Sequence, residues 1–294
     1  MRQVYLPQTL ADLWSCLNAN PDALIFAGGT DLFVKMRAAR TDATVLIGLE
    51  RIAELSGIGE DDGEIWIGAC ATHENILRHP LIAAHLPVLV QALRTLGSPP
   101  IRTMGTIGGN ICTASPAGDT LPPLYVLRAD VEIASQKGSR SVSVPDFIAG
   151  PGKTRLAPGE IITGVRVKKP AEFNFHHFEK VGQRKSMSCA VASMAALLRI
   201  TPSGMIEACR LAWGSVGPAV MTDAGIEDFL TGKKLSQETL SAAAEKIVRF
   251  VLPIDDVRAA ADYRRTVSGN LILRLSGMEK PAAELKRQSP SEGM

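Results

Sequence analysis

The sequence predicts an α+β chain in two parts, and three observations lead there. Short strands and helices interleave through the first 170 residues. Composition shifts at Lys168-Lys169-Pro170, which marks the boundary. Beyond it, strand candidates at 175–181, 190–200 and 207–213 have the spacing of an antiparallel meander and are followed by helices. This divides the chain into residues 1–170, residues 171–275 and a polar tail, 276–294.

In chain order, Val4–Leu6 reads as an extended start. Thr9 caps a helix that carries Leu10, Leu13, Trp14 and Leu17 on one face, and Asn20-Pro21 ends it. Ala23–Ala27 is a buried strand leading into a glycine turn, with a helix-like segment from Asp31. Residues 45–49, VLIGL, form the next strand. The stretch SGIGEDDGEIWIGA reads as a hairpin turning at Asp62-Gly63, both of which tolerate positive φ. A short helix starts at Thr72 and ends before Pro80, and another covers 87–96. The glycine- and proline-rich run GSPPIRTMGTIGGNICTASPAGDTLPP then carries no predicted element. A strand at Val131–Ala134, a Lys137-Gly138 turn and a strand at Ile161–Val167 complete the first part. After the meander come helices at about 222–230, 237–250 and 261–275, the last ending near Gly277, and the tail is expected to fray.

Composition narrows the function. Thirty-two Lys and Arg against 30 Asp and Glu leave a net charge of +2, so no strong field points to nucleic acid or a membrane surface, and 5% aromatic content disfavours a base-stacking platform. No run reaches the ~18–20 apolar residues of a membrane span. The N-terminus, MRQVYLPQTLADLW, has no signal-peptide core, so a cytoplasmic location is expected. Cys16, Cys70, Cys112, Cys189 and Cys209 are scattered with no C-x-x-C pair, which speaks against a disulfide framework and against a zinc or iron–sulfur site. His176 and His177 are adjacent on a strand and point to opposite faces, and His73, His79 and His85 form no chelating pattern, so no metal site is expected. There is no G-x-S-x-G elbow, and Ser188-Cys189 has no base identifiable by spacing.

Two glycine loops remain. Ala27-Gly28-Gly29-Thr30-Asp31 directly follows a strand. Thr106-Ile107-Gly108-Gly109-Asn110 is followed by Thr113, Ser115 and Asp119. Both mix glycine with hydroxyl or amide side chains, which suits a pyrophosphate: backbone N–H groups at close approach, extra donors, and no Cβ in the way. The Walker pattern is absent. Glu50 lies 22 residues after Gly28, but no glycine falls between Gly29 and Gly48, so G-x-G-x-x-G fails. The first loop alone is a common turn; the pair together favours a dinucleotide, without saying which one.

AGGTDL, TIGGNICTASPAGD and FEKVGQRKSMSCAVAS give the chain its family likeness. It resembles, over residues 1 to about 275, the FAD-binding (medium) subunits of xanthine dehydrogenases, carbon monoxide dehydrogenases and related molybdenum hydroxylases. That resemblance implies a two-lobed FAD domain of the PCMH/vanillyl-alcohol-oxidase-like type (lobes at about 1–55 and 56–170), followed by the smaller sheet-and-helix domain. It implies that Phe26, Ala27, Gly28, Gly29, Thr30, Asp31 and Leu32 form one wall for the pyrophosphate. Thr106, Ile107, Gly108, Gly109 and Asn110 form the other, with Ser115 nearby. Asp119 would meet a ribityl hydroxyl, Ile162 the flavin ring, and Lys180 the isoalloxazine, where a cation stabilises the anionic reduced flavin. Arg184 and Lys185 add local positive charge, which would suit a nicotinamide phosphate or a partner subunit.

The resemblance further implies an electron-transfer subunit. Electrons would pass from [2Fe–2S] clusters of a small partner subunit through FAD to NAD⁺ or another acceptor. The molybdenum cofactor would reside in a large partner subunit. TIGGNICTASPAGD is uninterrupted, so the cysteine-bearing insertion of some relatives is absent, and no residue matches a covalent tether, so FAD is expected to be noncovalent. A free-standing FAD-dependent oxidoreductase, a cofactor-free assembly subunit and a purely structural module are the alternatives.

Overall fold

The computed structural model describes residues 2–38, 41, 43–184 and 187–276. The first sheet is small and parallel. Strands β1 (Gln3–Tyr5), β2 (Leu24–Phe26) and β3 (Val45–Gly48) lie in the order β1-β3-β2, with helix α1 (Leu10–Ala19) crossing between the first two and α2 (Leu32–Arg37) between the last two. Thr9 and Asp12 form the reciprocal capping box that fixes the start of α1. Its Leu13 is fully buried with Ile47, Ile52 and Leu55. Cys70 and Ile161, from the next layer, close the same cluster, so the first sheet rests directly on the second.

The second sheet is antiparallel and five-stranded. It contains β4 (Ile58–Asp61) and β5 (Glu64–Gly68), then β6 (Asp130–Ser135), β7 (Gly138–Ser143) and β10 (Ile161–Lys168), in the order β4-β5-β10-β6-β7. The predicted turn joins β4 to β5, with Asp62 at φ 46° and Gly63 at φ 77°. Six helices separate β5 from β6: α3 (His73–Arg78), α4 (Pro80–His85), α5 (Pro87–Thr95), α6 (Pro99–Met104), α7 (Ile107–Thr113) and α8 (Leu121–Val126). Between β7 and β10 come α9 (Val144–Phe147) and a two-stranded ribbon of β8 (Ile148–Gly150) and β9 (Lys153–Thr154).

The run from 97 to 123 thus differs from the sequence expectation: it holds α6, α7 and the start of α8. Glycine and proline there start helices instead of preventing them. Pro99 and Pro122 sit at or beside N1, where proline's missing N–H costs nothing, and Thr106 caps α7. Pro80, read as a stop, ends α3 and is also the first residue of α4.

The third sheet is the expected meander: β11 (Phe175–Gly182), β12 (Ala190–Ile200) and β13 (Ile206–Gly214), paired antiparallel in chain order. Residues 190–198 of β12 are all buried. Ala195 and Leu197 face the core shared with α5 and α8, while Ala192, Met194, Ala196 and Leu198 face α10 (Ala224–Leu230), α11 (Gln237–Phe250) and α12 (Ala261–Leu273). A strand covered on both faces reads as one apolar run. Of the tail, only Ser276 is among the described residues, and Gly277 lies outside them.

Candidate functional site

A cleft of about 700 Å³ opens where the β2–α2 loop faces the start of α7, within the size range of small-molecule sites. β9, the following turn and the start of β10 supply a further wall through Thr154, Leu156, Glu160, Ile161 and Ile162.

The first loop is shaped by two glycines. A Cβ on Gly28 would lie 1.5 Å from the carbonyl oxygen of Met104, so the backbones of the loop and α6 touch there and only glycine fits. Gly29 has φ 69°, which turns the chain. No acceptor among the described residues takes the backbone N–H of Ala27, Gly28, Gly29, Thr30 or Asp31. Five consecutive amide donors without a partner among the described residues, on a loop that lines a cleft, suit an anion.

The second wall works differently. Thr106 is the N-cap of α7, and Gly108 and Gly109 belong to its first turn, so this segment is a helix start where a loop was expected. Its backbone donors already have partners. Ile107 N–H donates to Ala71 O (3.2 Å), Gly108 N–H to Ala69 O (2.9 Å), Gly109 N–H to Thr106 Oγ1 (3.1 Å) and Asn110 N–H to Thr106 O (3.0 Å). Gly108 is needed for packing, because its Cβ would meet Ala69 at 2.7 Å. What α7 and its cap offer the cleft is side chains, those of Thr106, Asn110, Cys112 and Thr113.

Charge in the cleft is sparse. Asp31 and Lys35 form an ion pair of 2.6 Å, both about half exposed, and Lys35 is the one cation among the described lining residues. Glu160 is clamped by the Arg140 guanidinium (2.8 and 2.7 Å) and by Ala157 N–H (2.8 Å), which holds its carboxyl down at about 2. His73, 3% exposed, is pushed down to about 4 by burial and by the nearby Arg102, so it is neutral at pH 7. Cys70, buried beneath the cleft, is pushed up to about 12 by desolvation and stays a thiol.

Of the residues expected from the sequence, Phe26, Ala27, Gly28, Gly29, Thr30, Asp31, Leu32, Thr106, Gly108, Gly109, Asn110 and Ile162 line the cleft together. Four do not. The Ile107 side chain is fully buried in the core. Ser115 takes a hydrogen bond from Ala117 N–H within its own turn (3.2 Å). Asp119 and Lys180 face each other instead of the cleft, at 2.6 Å, with side-chain exposures of 9% and 5%. Lys180 Nζ also donates to Thr95 O (2.8 Å) and Ser188 O (3.3 Å), so all three of its protons have acceptors. Arg184 donates to Met187 O, and Lys185 lies outside the described residues. His73, Lys35, Cys70, Cys112, Thr154, Glu160 and Cys189 line the cleft without having been singled out for it. Only the P-G-E turn before an apolar strand at 158–162 was a usable signal for Glu160. No group of three His, Cys, Asp or Glu able to hold a metal occurs among the described residues, and no helix among them is long and apolar enough to cross a membrane.

Residues 1–170 match the family described as the FAD binding domain in molybdopterin dehydrogenase, and residues 177–277 the CO dehydrogenase flavoprotein C-terminal domain. Among curated relatives, the xanthine dehydrogenase FAD-binding subunit of Escherichia coli O157:H7 is 31% identical, over 87% of this chain and 88% of that one. The nicotinate dehydrogenase FAD-subunit of Eubacterium barkeri is 30% identical over 90% of each. Among solved structures, quinoline 2-oxidoreductase from Pseudomonas putida 86 superposes with a TM-score of 0.89 at 29% identity, over 94% of this chain and 95% of that one. Carbon monoxide dehydrogenase from Hydrogenophaga pseudoflava gives 0.87 at 27%, over 93% and 95%.

Proposed function

The chain belongs to the FAD-binding medium subunits of the xanthine dehydrogenase and carbon monoxide dehydrogenase family, and from that premise we propose that it is the electron-relay subunit of a molybdenum hydroxylase, holding FAD noncovalently in the cleft between the β2–α2 loop and α7. The observation that carries this reading is the row of five N–H groups from Ala27 to Asp31 that have no partner among the described residues, with Thr106 and Asn110 lining the same cleft. A pyrophosphate carries acceptor oxygens in number and little room is needed around it. The loop provides donors and, through Gly28 and Gly29, the absence of side chains. The donor set therefore fits the group.

When bound, FAD supplies the capacity to take up electrons singly and to release them as a pair. The residues of this chain would hold and orient it. Ala27–Asp31 would bind the pyrophosphate through their backbone N–H groups, with Lys35, paired to Asp31, as the nearest cation. Ile161 and Ile162 would give the ring system an apolar wall, and neutral His73 would leave the pocket floor uncharged. In this reading, residues 1–170 form the FAD domain and 171–275 a second domain. [2Fe–2S] clusters in a small subunit would deliver electrons, a large subunit would hold the molybdenum cofactor, and NAD⁺ or another carrier would accept them. The sparse acid–base equipment of the cleft suits such a role, since the Glu160 carboxylate is locked by Arg140 and the Cys70 thiol stays protonated. Purifying the chain with added FAD and recording its visible spectrum tests the core of the reading. Flavin absorption that remains after gel filtration is expected, and a folded chain that stays colourless contradicts it.

A further inference from the structure

We infer that Thr120 is a positioning residue for the cofactor: its hydroxyl fixes the side chain of Asn110 so that the amide NH₂, and not the carbonyl, is presented to the cleft. The inference rests on the FAD reading above and adds a residue outside the cleft to it.

Asn110 carries much of the second wall's donor capacity, because the backbone N–H groups of residues 107–110 are already bonded within the protein. An asparagine side chain is ambiguous, however. Turned one way it offers two donors, and turned the other it offers an acceptor, which a phosphate oxygen would repel. Something must choose. Thr120 Oγ1 lies 2.6 Å from Asn110 Oδ1. That length suits an O–H···O bond and is short for N–H···O. Thr120 is 0% exposed, and among the described residues Asn110 Oδ1 is the one acceptor for its proton. Flipping the amide would leave a buried hydroxyl proton without an acceptor, the costly outcome in a closed site.

The supporting loop is itself well fixed. Gly118 packs beneath the amide so closely that a Cβ there would lie 3.3 Å from Asn110 Oδ1 and 3.1 Å from Ser115 O. Asp119, between Gly118 and Thr120, is tied to Lys180. The loop from Ser115 to Thr120 thus acts on the cleft from behind, by holding the amide.

A double-mutant cycle on the full chain tests this, read as FAD affinity by quenching of flavin fluorescence, with circular dichroism of each apo variant to confirm folding. Thr120→Val keeps the shape and removes the hydroxyl, and is expected to weaken FAD binding about tenfold, the scale of one hydrogen bond. Thr120→Ser is expected to stay within about twofold of wild type. Asn110→Ala is expected to weaken binding at least as much as Thr120→Val, and adding Thr120→Val to it is expected to change nothing further. Equal losses from Thr120→Val with and without Asn110, or no loss from Thr120→Val, or failure of Thr120→Ser to preserve binding, would overturn the inference while leaving the FAD reading in place. A folded wild-type chain that takes up no FAD overturns the FAD reading itself.

Discussion

Lys180 and Asp119 neutralise each other at 2.6 Å in a nearly closed pocket, joining β11 to the loop that carries Thr120. The ammonium also holds the carbonyls of Thr95 and Ser188, so one side chain ties together the end of α5, the loop before α8 and the turn before β12. Removing one half of a buried ion pair leaves the other half to stay charged without a partner or to change its protonation, and either is costly. Lys180→Met is therefore expected to cost about 3 kcal/mol in urea unfolding at pH 7. The double variant Lys180→Met/Asp119→Leu is expected to recover a large part of that. A Lys180→Met protein of wild-type stability but altered flavin potential would instead mark Lys180 as a flavin contact.

The pair also gives a pH signature. Burial pushes the Asp119 carboxyl up to about 6, outweighing the pull of Lys180. A raised acid binds its proton more tightly when folded, so its contribution is present below the unfolded value near 4 and is lost as pH rises through 6. Against Asp119→Asn, the wild-type chain is expected to lose relative stability from about pH 4 to 6. An unchanged difference across that window would contradict the assignment.

His73 runs the opposite way in an overlapping window. Its depressed value of about 4 means that the unfolded chain takes up the proton first, so stability falls as pH drops from 6.5 toward 4. Replacing it by Gln is expected to remove that acid loss. Thermal melts of both variants over pH 4–7 should show slopes of opposite sign relative to wild type.

Gly28 and Gly59 make a matched contrast. Gly28→Ala drives a methyl group to 1.5 Å from Met104 O, so the loop must move. FAD affinity is expected to fall more than tenfold, a loss beyond that of a single hydrogen bond. A Cβ on Gly59, in β4, meets nothing within 4 Å, and Gly59→Ala is expected to leave binding unchanged. Equal effects of the two substitutions would separate the loop's close approach from ligand binding.

Local signals in the sequence were enough to place much of this fold. The alternation hidden in AVASMAALL could not show which face of β12 met which core, but the run's length between turns marked it as a strand. Asp62-Gly63 named its hairpin because both residues take positive φ. The helices between 97 and 123 were obscured, since proline and glycine there act at helix starts, where position decides their meaning and composition does not. The same applies to the site. Taken as a pair, the two glycine segments were legible as a candidate site from glycine beside hydroxyl and amide groups, and both line the cleft. Which one offers free N–H groups was not legible, because the acceptors Ala69 and Ala71 come from the segment that follows β5, far away in sequence. The Asp119–Lys180 and Thr120–Asn110 contacts depend on chain packing in the same way. His73, Cys70 and Cys189 reach the cleft from three separate segments that carry no shared motif.

The proposed role stands or falls on noncovalent FAD in this cleft. The most direct measurement is to saturate the purified full-length chain with FAD, remove the excess, denature it and assay the protein-free filtrate. One FAD per chain is expected in the filtrate and none left on the protein, with Gly28→Ala yielding far less. Flavin that remains attached to the denatured chain, or a folded wild-type chain that retains none, would contradict it.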